Sequence, residues 1–193
     1  MRLRYVLVMV LAGATLAPAA HADAVADDIA KAASAWQAHD SRATLDALEA
    51  AANVLRQARA DQLEALLPPV PAGWTAETPK TSAVCPAVLG GGTSARRIYH
   101  SGPEQVEVQI TTDNPMLQGM AALIANPLTN TPDVKTVTIG GQRASYNATD
   151  NSYMALVDGK VIVRVEGNPS TLEPVLRAFV TNVDFGALKR IAK

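Results

Sequence analysis

The sequence predicts an α+β fold: an antiparallel helical hairpin followed by a mostly antiparallel β-sheet with two packed helices. Three observations carry this. Residues 23–67 are rich in Ala, Leu and charge and contain no Gly or Pro, the composition of good helices. A proline-rich joint, Pro68-Pro69-Val70-Pro71-Ala72-Gly73, then stops helix formation, because each proline fixes its own φ and biases its predecessor away from helix. Beyond it the apolar pattern changes to period two, broken by Gly- and Asp-containing turns and two helical stripes.

Ahead of the hairpin, Arg2 and Arg4 precede an apolar run from Tyr5 to Ala17, then Pro18 and the small triplet Ala20-His21-Ala22. This is the order of a secretory signal, so residues 1–22 are expected to be removed and the mature chain to begin near Asp23 in the periplasm. The run is shorter than the roughly 20 apolar residues of a membrane span, and no later segment is apolar enough for one. Loss of Arg2 and Arg4 takes the net charge from −1 to −3. A weakly acidic chain has no electrostatic attraction to nucleic acid or to an anionic membrane.

In the hairpin, Val25, Ile29, Ala33 and Trp36 recur at helical spacing, and His39-Asp40-Ser41 interrupts them, with Asp40 or Ser41 placed to cap the second helix. There Leu45, Leu48, Ala52, Leu55, Leu63 and Leu66 form the apolar stripe. With Trp36 near the end of the first helix, a short polar turn and small residues at the crossing, the hairpin resembles a single tetratricopeptide-type unit. Arrays of such units need about three copies to bury a continuous core, and no second copy is present. The stripe must therefore be covered by the downstream domain, a twin or a partner. Residues 23–66 carry eight acids and four bases, so the acidic character belongs to the hairpin.

In the segment 74–193, Trp74-Thr75-Ala76-Glu77 begins a first strand. Residues 94–100 and 105–112 read as a β-hairpin turning at Ser101-Gly102-Pro103-Glu104. Asn114-Pro115 starts a helix to Asn126 with Met116, Leu117, Met120, Leu123 and Ile124 on one stripe. Residues 134–167 read as three or four antiparallel strands separated at Gly140-Gly141, Asp150-Asn151 and Asp158-Gly159. Ser170-Thr171-Leu172-Glu173 has the form of a capping box opening a helix through Val180, and a short terminal helix carries Phe185, Leu188 and Ile191.

The stretch from Gly73-Trp74 to Phe185, with its Val137-Thr138-Ile139-Gly140-Gly141 strand and its Val157-Asp158-Gly159-Lys160 turn, resembles small exported PsbP-like α+β domains. It is also similar to the extracytoplasmic tails of some anti-sigma factors and to uncharacterised proteobacterial periplasmic proteins that join such a domain to a helical hairpin. The resemblance implies a binding or accessory role and assigns no site residues.

Candidate chemistry is sparse, and no catalytic residue, cofactor or metal site is assigned. Leu89-Gly90-Gly91-Gly92-Thr93-Ser94 with Arg96 and Arg97 could cradle a phosphate, yet it lacks the Gly-Lys-Ser/Thr ending of a P-loop and feeds a strand, so it reads as a turn. Cys85, the single cysteine, would need a base such as His100 to act as a nucleophile, and otherwise is an inert thiol or an intermolecular disulfide partner. Met116 and Met120, one helical turn apart, could form a soft copper site with Cys85 or His100, but both belong to a stripe that core packing explains. Asp113, Glu104, Glu107 and Glu166 fall at turns or on wet strand faces with nothing to pair them, and Asn147-Ala148-Thr149 matches a glycosylation triplet that reads as a plain loop.

The leading expectation is a non-catalytic periplasmic accessory protein that binds another periplasmic or envelope protein, or itself. The alternative is a carrier of a small hydrophobic ligand or copper between the sheet and the helix 115–126. A third is an unrecognised hydrolase.

Overall fold

The structure, a computed structural model, describes residues 17–84, 92–114 and 133–192. It is α+β: two N-terminal helices that pack together, then an eight-stranded antiparallel sheet and two helices. In chain order the elements are α1 (Ala17–Gln37), α2 (Ser41–Glu64), β1 (Thr75–Ala76), β2 (Lys80–Val84), β3 (Gly92–Ser101), β4 (Glu104–Thr112), β5 (Val134–Ile139), β6 (Gln142–Asn147), β7 (Ser152–Val157), β8 (Val161–Gly167), α3 (Glu173–Thr181) and α4 (Phe185–Ile191).

The chain divides into two compact units between Leu55 and Arg56, within α2. The division therefore falls ahead of the proline joint at which the sequence places it. The physical reason is that Leu63 and Leu67, both buried, belong to the core of the second unit. The joint is held there too: the buried Tyr99 hydroxyl donates to the Pro68 carbonyl at 2.6 Å.

In the first unit, Asp40 caps α2 as anticipated, its Oδ1 accepting from the Ala43 amide at 3.0 Å. His39, with φ of 58°, turns the chain between the helices.

In the second unit the strand order is β1-β3-β4-β8-β7-β6-β5, with β2 also on β3. β1 and β2 share one edge of β3, the former opposite Tyr99 and His100, the latter opposite residues 92–96. The turns between strands follow the sequence. Asp158 and Gly159 both have positive φ, at 47° and 71°, as do Gly140 and Gly141, at 58° and 74°. Positive φ at both central positions matches a two-residue turn to the right-handed twist of its strands.

Alternation assigns the faces. Ala95, Tyr99, Val106, Val108, Ile110, Val163, Val165, Tyr153 and Ala155 point into the core, which α3 and α4 cover with Leu176, Phe179, Val180, Phe185 and Leu188. Phe179 is the hub: its ring meets Trp74 edge-on at 5.1 Å between centroids and Tyr99 at 4.9 Å. Arg59 secures the end of α2, pairing with Asp113 at 2.8 Å and donating to the Ile191 carbonyl at 3.0 Å.

The capping box at 170–173 does not form. Leu172 occupies the N-cap position of α3 without a side-chain cap bond. Thr171 is instead drawn to β4, its Oγ1 lying 2.9 Å from the Gln105 carbonyl and accepting from the Gln105 amide at 3.2 Å. The Glu173 carboxylate accepts from the Tyr153 hydroxyl. Tertiary partners outcompete the local ones that the sequence offers.

Candidate functional site

The helical hairpin carries the least expected feature. Its most deeply buried side chains are alanines, Ala32 at 4% and Ala51 at 5% exposure. The large apolar residues of both stripes stand outside: Ile29 at 53%, Trp36 at 66%, Leu45 at 63%, Leu48 at 48% and Leu55 at 57%.

Helical geometry explains the offset. Successive residues turn by about 100°. On α1 the buried and half-buried positions are Ala24, Asp28, Ala32 and Ala35, and on α2 they are Thr44, Ala47, Ala51 and Val54. These two rows of mainly small residues, spaced by three and four, form the seam. Ile29 and Trp36 lie about a quarter-turn further round α1, and Leu48 and Leu55 about a quarter-turn round α2, with Leu45 beyond. The rotation has the same sense on both helices. Because the helices face one another and run in opposite directions, both stripes arrive on the same side of the hairpin. The hairpin thus presents one apolar face, and the α2 row from Leu45 to Leu55 is about 15 Å long.

The sequence-derived candidates in the second unit are dispersed. His100 sits at the sheet edge with Nε2 3.0 Å from Glu77 Oε1. Cys85, Met116, Met120 and the expected helix 115–126 lie outside the described residues. Among the described residues there is no group of three His, Cys, Asp or Glu arranged to hold a metal ion. Gly92 and Thr93 already belong to β3, and Arg96 and Arg97, as neighbours on a strand, point to opposite faces: Arg96 pairs with Glu107 at 3.3 Å, while Arg97 lies opposite Val108 on the core face. The phosphate cradle is therefore not assembled from these arginines. Leu89, Gly90 and Gly91 lie outside the described residues. The Asn147 side chain closes its own loop, Oδ1 accepting from the Thr149 amide at 2.9 Å and Nδ2 donating to Asp150 at 2.7 Å.

Two carboxylates expected to stand alone are brought together. Glu107 and Glu166 are directly opposed across β4 and β8 on the outer face. Each is held by an arginine, Glu107 by Arg96 and Glu166 by Arg164 at 2.7 Å. The charges are matched in pairs.

Sequence reasoning missed one polar cluster altogether. An open cleft of about 650 Å³ lies between the β6–β7 turn, the end of β8 and the start of α3, with Tyr146, Asp150, Asn151, Glu166 and Glu173 among its lining residues. Asn151, at φ 45°, accepts from the Tyr146 hydroxyl at 3.0 Å and donates to the carbonyls of Asn168 and Thr171 at 3.1 and 2.9 Å. Tyr146 and Tyr153 stack at 4.9 Å. Burial, reinforced by the hydrogen bond to Glu173, pushes the Tyr153 hydroxyl well above the usual tyrosine range, and burial raises Tyr146 as well. A tyrosine held protonated this firmly donates a hydrogen bond and does not act as a base at neutral pH. Asp150, Asn151, Glu166 and Glu173 each have an intramolecular partner, so the cleft works as a lock between α3 and the sheet. A single asparagine in a turn gives no sequence signal for such a hub.

A second hollow of about 310 Å³, almost wholly apolar, lies beside α3 between Pro71, Trp74, Pro174, Val175 and Phe179. No helix among the described residues is long and apolar enough to cross a membrane. No family model matches the chain, and no curated protein and no solved structure is similar to it.

Proposed function

We propose that this chain is an exported, non-catalytic accessory protein that acts by binding another protein through the apolar face of its helical hairpin. The observation that carries the reading is the exposure of Ile29, Trp36, Leu48 and Leu55 on one side of that hairpin. Contiguous apolar patches are uncommon on monomeric surfaces and mark interaction sites. Burying a leucine or isoleucine side chain is worth about 1.5–3 kcal/mol, so a partner covering several of these residues gains enough for specific binding. Export is supported by the order of charged, apolar and small residues over 1–22. A role without catalysis is supported by the intramolecular pairing of the carboxylates in the second unit.

The test uses the double substitution Leu48→Gln and Leu55→Gln, which keeps two good helix formers and removes the apolar surface. Both side chains are about half exposed or more, so the cost to stability is small. Gently purified wild-type protein is expected to retain a partner in stoichiometric amount by native mass spectrometry. The double variant is expected to lose at least nine-tenths of it while its helical ellipticity stays unchanged. Equal retention by both would contradict the reading.

A further inference from the structure

We infer that the hairpin face receives a basic amphipathic helix of the partner, which lies along α1 and α2 as a third helix. This rests on the proposed role of the hairpin and specifies the chemistry of what it binds.

Shape is the first argument. The face consists of two roughly parallel rows, Ile29 and Trp36 on α1 and Leu48 and Leu55 on α2, both displaced to the same side of an alanine-rich seam. Two helices meeting over small residues leave a shallow trough between their larger side chains. A helix is the element whose own apolar stripe, repeating at three and four residues, matches such a trough along its length. The α2 row of about 15 Å corresponds to roughly three helical turns of the incoming segment.

Charge is the second argument, and it selects among occupants. Residues 23–55 carry six acids against only Lys31 and Arg42, a net −4, whereas residues 56–193 carry twelve acids and thirteen bases. The charge imbalance thus coincides with the unit that bears the exposed stripe. Glu49 lies one step beyond the stripe on α2, at the rim of the trough. A second copy of the chain would set −4 against −4 around the contact. A helix with Lys or Arg flanking its apolar stripe meets the opposite charge and is steered toward the face.

Two synthetic eighteen-residue peptides test this on the chain purified after export. Both carry leucine at a three-four spacing, and one carries lysine where the other carries glutamate at the flanking positions. Titration calorimetry at low salt is expected to show the lysine peptide binding at least tenfold more tightly than the glutamate peptide, with the gap narrowing as salt screens the charges. Leu48→Gln with Leu55→Gln, which leaves every charge in place, is expected to weaken the lysine peptide at least tenfold. Equal affinity for the two peptides would overturn the inference, as would lysine-peptide binding that the double variant leaves intact. Self-association of the wild type that the double variant abolishes would overturn it in favour of a second copy. If the native complex still depends on Leu48 and Leu55 while the peptides bind equally, the choice of a basic helix fails and the protein-binding role stands. If the complex does not depend on those residues either, the role itself fails.

Discussion

Replacement of Phe179 by alanine is expected to lower the stability of the sheet unit by about 3–5 kcal/mol. Phe179 is 2% exposed and sits where α3 meets the sheet, with Trp74 edge-on to its ring and Tyr99 tilted against it. Truncation removes the ring's own burial, leaves a cavity and deprives two aromatic neighbours of their contact. The loss extends to the proline joint, because Tyr99 also anchors the Pro68 carbonyl. A change of this size is a large part of the 5–15 kcal/mol that domains possess, and corresponds to a fall in Tm of roughly 10 °C. Thermal unfolding followed by near-ultraviolet dichroism of the aromatic cluster measures it. Phe179→Leu, which keeps most of the volume, should lose markedly less. A fall in Tm of only a degree or two for the alanine variant would contradict the placement of Phe179 at the centre of the core.

Alkaline pH is expected to unfold the same unit cooperatively. Tyr99, Tyr146 and Tyr153 are all held protonated above the usual tyrosine range, in each case chiefly by burial. Tyr153 is held further by its bond to Glu173, whereas Arg97 pulls Tyr99 partly back. In the unfolded chain a tyrosine ionises near pH 10. Below that value both states keep the proton and stability does not change. Above it the unfolded state sheds protons that the folded state retains, so stability falls by about 1.4 kcal/mol per pH unit for each fully buried tyrosine. Tyr99 and Tyr153, at 0 and 1% exposure, contribute most. Tyrosinate absorbance and far-ultraviolet ellipticity should therefore change together above pH 10, and Tyr153→Phe should make the fall in stability shallower. Gradual ionisation near pH 10 with ellipticity unchanged would contradict the burial of these hydroxyls.

How legible these features are in the sequence depends on how local their causes are. The turns at Gly140-Gly141 and Asp158-Gly159 and the cap at Asp40 can be read in advance, since each requires only a backbone conformation or one side chain reaching three residues ahead. β2 is not legible: Lys80-Thr81-Ser82-Ala83-Val84 lacks the alternation of a half-buried strand, and it is strand only because the edge of β3 offers it hydrogen-bond partners. The Ser170–Glu173 motif satisfies every local criterion of a capping box and still fails, because Gln105 and Tyr153 are better partners that lie far away in sequence. The facing of Glu107 and Glu166 needs the register between β4 and β8, which no single strand encodes.

The candidate site divides in the same way. The stripes on the two helices can be read from their periodicity, and so can the need for something to cover them. Which rows form the seam cannot, because Ala32 and Ala51 compete with Trp36 and Leu48 through close helix approach and not through hydrophobicity. The three-four rhythm of the alanines is the signal that a reading weighted by side-chain size passes over.

The measurement closest to the central claim is site-specific photo-crosslinking in cells, with a photoreactive residue replacing Leu48 in one strain and Asp158, exposed in the β7–β8 turn, in another. The account predicts a discrete adduct, heavier than the chain by the mass of a second protein, from position 48 and none from position 158. No intermolecular adduct from position 48, or one to the chain's own sheet unit, would contradict it.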